Sequence, residues 1–334
     1  MSGSVPSGFL ALPGIDEALA REVQAGLDRV EERLRESVAA SDPLLTAAAT
    51  HLLSAGGKRF RATLVLLAAR FGDPEAPELT PAAAVVELTH VATLYHDDVM
   101  DEAELRRGEL SANQRWGNSV AILTGDFVFA RASEMLADLG TDAVRLQAQT
   151  FGRLVQGQIL ETSGPREGVD PLEHYLQVIA DKTASLIASS ARFGAMFSGA
   201  DPKVIETITR ACDALGMAFQ LSDDILDVAS ETDQSGKTPG TDLREGVLTL
   251  PMFHALRGAE PEHAHLRDLL GRPLDDAETD EALRLLRAHP AMDAARADLD
   301  AWADRARAEL ATLPAGPARA AFEALCDYVV ERSG

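Results

Sequence analysis

Two stretches of this 334-residue chain place carboxylates at one spacing: Asp97-Asp98-x-x-Asp101, and Asp223-Asp224-x-x-Asp227 126 residues later. Each closes an apolar run. Positions i, i+1 and i+4 share roughly one helical face, so each triad is expected to point three carboxylates the same way. Such a cluster repels itself, and more so near a helix C-terminus, where the macrodipole is already negative. A cation should therefore sit there. All-oxygen donors suit Mg²⁺, which keeps waters and shares its coordination with phosphates. A lone Asp-Asp-x-x-Asp is usually a solvated acidic helix end. Two copies, each after a run that predicts burial, favour a site. Facing each other, they can hold a cluster of about three Mg²⁺ around one diphosphate.

Two basic stretches flank the first triad in sequence, one well before it and one just after. Gly56-Gly57-Lys58-Arg59-Phe60-Arg61 puts two glycines and three cations at a helix start, and helix N–H groups with Lys and Arg make an anion site. Lys58 and Arg61, three apart, can share a face. Arg106-Arg107-Gly108 follows the triad closely enough to reach whatever the metals hold. Taken alone, either basic stretch reads equally well as a solvated turn. In a chain of net charge −22, cations concentrated beside acidic motifs point to a polyanionic ligand. His90 lies seven residues before Asp97, on the same helical face, and joins the candidates. His96 adjoins the triad and either supports it or simply packs. Glu87-x-x-His90 also fits the Glu-x-x-His of di-iron bundles. Its sequence partner, Glu260-Pro-Glu-His263, falls in a polar, proline-containing stretch.

The elements that position these residues read as helices. Apolar residues make up 46% of the chain but aromatics only 5%. Ala and Leu dominate, with few β-branched runs, which favours helix over sheet. Helical spacing is expected over 15–40, then after Ser41-Asp42-Pro43 as far as Gly56, and from Lys58 through Ala69. Thr80-Pro81 reads as an N-cap with proline at the first helical position, opening the Asp97 helix. Further helices are expected over 118–139, 141–162, 171–197 (capped by Asp170), 203–230 and 248–256, with short helices after 275. The Gly-rich segment 232–246 breaks the pattern. Residues 1–14 read as a mobile arm, and 15–334, without a linker, as one large all-α bundle with a central cavity between facing helices. The negative charge argues against nucleic acid and anionic lipid. No apolar run reaches the roughly 18 residues of a membrane span, and two distant cysteines, Cys212 and Cys326, suit a reducing cytoplasm.

Taken together, Gly-Gly-Lys-Arg-x-Arg, the His90-to-Asp101 spacing, Arg-Arg-Gly, Lys182-Thr183-Ala184, Phe219-Gln220-Leu-x-Asp-Asp-x-x-Asp and Gly236-Lys237-x-x-Gly-x-Asp242 resemble the trans-isoprenyl diphosphate synthases, or polyprenyl synthetases. The resemblance runs in order over about 52–256. It implies an isopentenyl diphosphate site at Lys58, Arg61, His90 and Arg107, and an allylic diphosphate contact at Arg106. Lys182, Thr183, Gln220 and Lys237 match positions lining the allylic diphosphate and the nascent cation. Asp97, Asp98 and Asp101 resemble the first metal ligands, with Asp223, and less so Asp224 and Asp227, completing the cluster. A homodimer is implied as well. Two features depart from the family pattern. Gly246-Val247-Leu248-Thr249 stands where many relatives have Gly-Lys-x-Thr, which can shift a diphosphate contact to Arg244. The chain end, Glu331-Arg-Ser-Gly334, lacks the basic tail of some short-chain relatives.

The chemistry implied is ionisation of the allylic diphosphate, attack by the double bond of isopentenyl diphosphate, and loss of a proton to the released diphosphate. Two competing readings are a class I terpene cyclase, which needs no isopentenyl diphosphate site, and an inactive partner subunit, in which lost aspartates would be expected. For product length, the residues four, five and eight before Asp97 are Thr93, Ala92 and Thr89. At 1.5 Å per residue they lie roughly 6, 7.5 and 12 Å back along the helix, and their small side chains imply a long product, about C30 or beyond. The alternative is a short-chain C15 or C20 synthase, with Phe127, Phe129 or Met196 closing the path.

Overall fold

A computed structural model describes residues 8–230, 239–258 and 260–332. Nearly all the regular structure is helical, as the composition requires. Aspartates start several of the helices. Asp16 accepts the Leu19 N–H at 2.9 Å ahead of Glu17–Ser37, and Asp42 does the same for Leu45 ahead of Pro43–Ser54. Asp170 opens Pro171–Ile179. In the last two the following proline occupies the first turn, where its missing N–H costs nothing.

The helix bearing the first triad begins two residues earlier than the Thr-Pro pair suggests. It spans Leu79–Met100, its N-cap is Glu78, and no side chain caps it. Thr80 and Pro81 thus fall inside the first turn, which tolerates proline. From Ala82 to Ala92 nearly every residue except His90 is buried, as in a helix surrounded by others.

The described chain forms two compact units. One comprises residues 1–152, 186–209 and 311–324; the other comprises 153–185, 210–310 and 325–334. Neither is continuous in sequence, so no linker composition marks a boundary. In the first unit, helix Ser185–Phe197 approaches Phe60–Ala68 so closely that a Cβ added at Gly194 would sit 2.0 Å from the Val65 carbonyl oxygen. Backbone cannot yield cheaply there. Gly194→Ala should therefore lower unfolding stability by about 2–3 kcal/mol, measured by urea denaturation; an unchanged midpoint would contradict this packing. Of the expected mobile arm, residues 1–7 lie outside the described residues. Gly8–Ala11 is instead a 3₁₀ turn burying Phe9 and Leu10, with the Phe9 ring 4.7 Å from that of Phe60.

Several short elements escaped the sequence reading because each is too short to show periodicity. A two-residue hairpin pairs Leu105–Arg106 with Glu109–Leu110. Short helices span Ala112–Trp116 and Thr241–Glu245. The helix expected over 171–197 is present but is interrupted by a π-helical turn at Ala180–Ala184, a distortion that recurs at functional sites.

Candidate active site

In the first unit, the aspartate helix ends at Met100 and Glu102 turns the chain with φ 49°. The Leu105–Leu110 hairpin then folds back, turning on Arg107 (φ 55°) and Gly108 (φ 80°). Two consecutive positive φ values match the twist of a tight hairpin, at a steric cost for Arg107. The fold-back brings Arg106 Nε to 2.6 Å from Asp98 Oδ1. Asp98 is fully buried, and burial raises its pKa against the opposing pull of Arg106. Its other oxygen, Oδ2, has no hydrogen-bond partner among the described residues. Asp97 stays half-buried and Asp101 exposed. The three carboxylates therefore do not point alike, a correction to the spacing argument. Positions i and i+4 lie about 40° apart around a helix, but i+1 lies about 100° from i.

The basic stretches converge in the same unit. Gly56 (φ 89°), Gly57 (φ 156°) and a left-handed Arg59 (φ 45°) wind the chain into helix Phe60–Ala68. Arg107 donates to the carbonyls of Leu52 and Gly56, which pins the hairpin to this turn. Arg59 pairs with Glu31 and donates to the Leu53 carbonyl at 2.8 Å. No residue of the turn itself caps the helix. That role falls to Glu87, buried on the aspartate helix, whose Oε1 accepts the Ala62 N–H at 3.0 Å. Glu87, which resembled half of a di-iron motif, is thus a cap in trans and a counter-charge to Arg61 and Arg107.

His90 sits among these cations. Burial, and then Arg61, Arg107, Arg106 and Arg59, hold its pKa well below the ordinary value, so it is neutral. Arg61 Nε and Arg59 Nη1 are buried donors with no partner among the described residues. Guanidinium groups from 59–61 and 106–107 thus gather around His90, and those of Arg59 and Arg61 keep unmet donors, an arrangement that suits a polyanion. Lys58 is exposed and lies 5.6 Å from the Phe9 ring. His96 pairs with Asp126 at 3.2 Å rather than with the triad.

In the second unit, helix Pro202–Ala229 carries the other triad. Again the middle carboxylate is turned inward. Asp224 is buried, accepting from the Tyr175 hydroxyl and, at 2.9 Å, from Gln220 Nε2. Burial pushes its pKa up to about 7. Thr183 Oγ1 donates to Gln220 Oε1 at 3.1 Å, and Lys182 pairs with Glu161. Both Lys182 and Thr183 sit on the π turn, against which Gly157 packs so tightly that a Cβ there would be 2.7 Å from the Lys182 nitrogen. Asp227 accepts the Thr241 and Asp242 N–H groups at 3.2 Å each, so it starts the short Thr241–Glu245 helix. Arg244 is committed elsewhere, to Asp276 at 3.1 Å and to the Pro239 carbonyl, and does not stand in for a lysine at Val247. Lys237 lies outside the described residues. Arg332, which no motif flagged, lies 2.8 Å from Asp223 Oδ1.

Among the described residues, no three of His, Cys, Asp or Glu are gathered closely enough to hold a metal by themselves. In the first unit Asp97 and Asp101 offer hard oxygens and Asp98 Oδ2 adds an unmet acceptor; in the second, Asp223 is a half-buried carboxylate beside Arg332. This chemistry fits a divalent cation that takes its remaining ligands from water and phosphate.

The residues marked for product length are all in the first unit. Ala92 is buried. Thr93 Oγ1 donates to the His90 carbonyl at 2.8 Å. Thr89 does not face open space: it donates to the Val85 carbonyl at 2.8 Å and accepts from Gln147 Nε2 at 2.7 Å. Gln147 is almost fully buried, a contact of Thr89 that the sequence did not reveal. The Phe129 ring packs on Phe151 at 4.3 Å.

Comparison with known proteins identifies the family. A family model described as polyprenyl synthetase matches residues 42–286. The chain is 51% identical to a nonaprenyl diphosphate synthase of Mycobacterium tuberculosis, over 96% of each chain. It superposes with a TM-score of 0.87 and 46% identity on a geranylgeranyl pyrophosphate synthase from Corynebacterium glutamicum crystallised with calcium and isoprenyl diphosphate, covering 96% of this chain and 98% of that one. A decaprenyl diphosphate synthase from Rhodobacter capsulatus gives a TM-score of 0.86 at 34% identity, covering 95% and 99%. A match of this extent, on a chain that carries the family's paired aspartate motifs and its basic cluster, has one meaning: this chain belongs to the polyprenyl synthetase family of trans-isoprenyl diphosphate synthases.

Proposed function

We propose that the protein is a prenyltransferase that adds isopentenyl diphosphate head-to-tail to an allylic diphosphate and builds a long trans-polyprenyl diphosphate. The observation that carries the reading is the gathering of Arg61, Arg106 and Arg107 around His90, which stands on the aspartate helix itself. Arg61, Arg107, His90 and the nearby Lys58 bind isopentenyl diphosphate, and Arg106 reaches the allylic diphosphate. Lys182 and Gln220, with Lys237, hold the allylic diphosphate, and the Thr183 hydroxyl and Gln220 amide face the nascent cation. Asp97 and Asp101 on one helix and Asp223 on another would hold Mg²⁺. When bound, the metal supplies positive charge against the departing diphosphate. Asp98 and Asp224 act behind them, held by Arg106 and by Tyr175 with Gln220. Electrostatic stabilisation of the leaving group is the main catalytic effect, and the released diphosphate takes the final proton.

The test is a diphosphate-release assay on an allylic substrate with and without isopentenyl diphosphate, with products sized by mass spectrometry. Release that ignores isopentenyl diphosphate would favour the cyclase reading, and no release at all the inactive-subunit reading.

Product length rests on Ala92 and Thr93, with Gln147 and Thr89 beneath them. Ala92→Phe inserts a ring about 7.5 Å behind Asp97 and should shorten the product to about C20 or less while the first condensation proceeds. If the wild type itself stops at C20 under excess isopentenyl diphosphate, these residues do not set the length.

A homodimer fits the apolar side chains left exposed on the first unit, among them Ile122, Leu123, Leu105 and Leu110. Sedimentation at micromolar concentration should give a dimer, and Leu123→Glu should shift it toward monomer. Among the described residues no helix is long and apolar enough to cross a membrane. Cys212 and Cys326 are buried and not joined in a disulfide, and the cytoplasm is the setting that fits.

A further inference from the structure

The last described residue of the chain, Arg332, reaches the second aspartate triad. Its guanidinium donates from Nε to Ser222 Oγ at 2.9 Å and from Nη2 to the Phe219 carbonyl at 2.8 Å. It also lies over the Phe219 ring, 4.4 Å from the centroid, and 5.7 Å from that of Tyr328. The same Nη2 is 2.8 Å from Asp223 Oδ1. The arginine side chain is only 13% exposed, against 37% for the aspartate.

These contacts separate into two groups. Ser222, the Phe219 carbonyl and the aromatic rings hold the guanidinium without any help from Asp223. The cation therefore stays in place when the carboxylate turns to another partner. A fixed, poorly hydrated positive charge beside a metal ligand has two effects. It occupies one carboxylate oxygen while no metal is present. It also repels an incoming divalent cation unless an anion arrives with it. An adjacent diphosphate reverses that repulsion, because its charge is attracted by both cations.

Resting on the prenyltransferase reading, we propose that Arg332 is a positioning residue that makes metal uptake at the second triad depend on diphosphate: it holds Asp223 in the metal-free enzyme and disfavours the cation arriving alone. The rest of the chain's charge points the same way. In a protein of net charge −22, an unguarded aspartate triad would collect divalent cations without substrate.

The experiment titrates the full-length protein with Mn²⁺, with and without inorganic diphosphate, reading free Mn²⁺ by electron paramagnetic resonance. Arg332→Gln should bind Mn²⁺ alone about tenfold more tightly than wild type. The tightening of Mn²⁺ binding caused by diphosphate should shrink correspondingly. Arg332→Lys, which keeps a charge, should lie near wild type. A purely structural clamp between the two helices would lower thermal stability in both variants but leave Mn²⁺ binding unmoved. Superimposable Mn²⁺ isotherms for folded Arg332→Gln and wild type would therefore overturn the proposal. Should Arg332→Gln lose its helical circular dichroism, Ser222→Ala, which removes one anchor of the guanidinium, is read in the same titration with the same two outcomes. If wild type binds no Mn²⁺ even with diphosphate, the prenyltransferase reading falls, and this proposal falls with it.

Discussion

Asp97→Ala and Asp223→Ala each lower kcat by at least about a thousandfold at saturating Mg²⁺, with the helical circular dichroism intact. Both are half-buried side chains whose loss costs little folding energy, and both are outward-facing oxygen donors. Removing a ligand takes away positive charge where the leaving diphosphate develops negative charge, an interaction stronger in the transition state than in the ground state, so kcat falls. Asp98→Asn and Asp224→Asn behave differently, because these carboxylates face Arg106 and Tyr175. The Asp224 side chain is raised to about 7, above its value near 4 in an unfolded chain. The folded state thus binds the proton more tightly, and the carboxylate's contribution turns unfavourable as pH rises from about 4 through 7. Asp224→Asn should gain stability above pH 7 in metal-free protein while losing part of its activity. Stopped-flow turnover and urea melts at pH 5 and 8 measure both. Near-normal kcat in either alanine variant would remove that triad from the metal site.

The second large effect is a separation of the two diphosphate sites. Arg61→Ala raises the KM for isopentenyl diphosphate by about a hundredfold, the worth of a charge-assisted, bidentate-capable contact, and leaves the allylic KM near wild type. Lys182→Ala does the reverse, acting on the allylic substrate and kcat. Interchanged effects would mean the sites are assigned backwards. His90 adds a pH signature. Its pKa lies below its ordinary value of about 6.5, so the unfolded chain takes up the proton first. Stability of the substrate-free protein should therefore decline as pH falls below about 6.5, by up to 1.4 kcal/mol per pH unit for this one group. Inorganic diphosphate, which favours an imidazolium, should blunt the decline.

The helical class, most helix positions and the candidate residues for chemistry were legible in the sequence. Those features are local. Helical periodicity, the aspartate caps at Asp16, Asp42 and Asp170, and the spacing within Asp-Asp-x-x-Asp depend on neighbours a few residues away. Two clustered like charges in an apolar context need a cation wherever the helix is packed. What each of those residues touches was decided by the tertiary structure, because those contacts join residues distant in sequence. Asp98 and Asp224 turn inward because the hairpin brings Arg106 to one and Pro171–Ile179 brings Tyr175 to the other. Glu87 caps a helix 25 residues before it. Gln147 meets Thr89 across 58 residues, and Arg332 meets Ser222 across 110. The hairpin at Arg106–Arg107 was illegible for a related reason: two-residue strands have no period, and a positive φ at Arg107 is held by carbonyls at Leu52 and Gly56 that no local pattern announces.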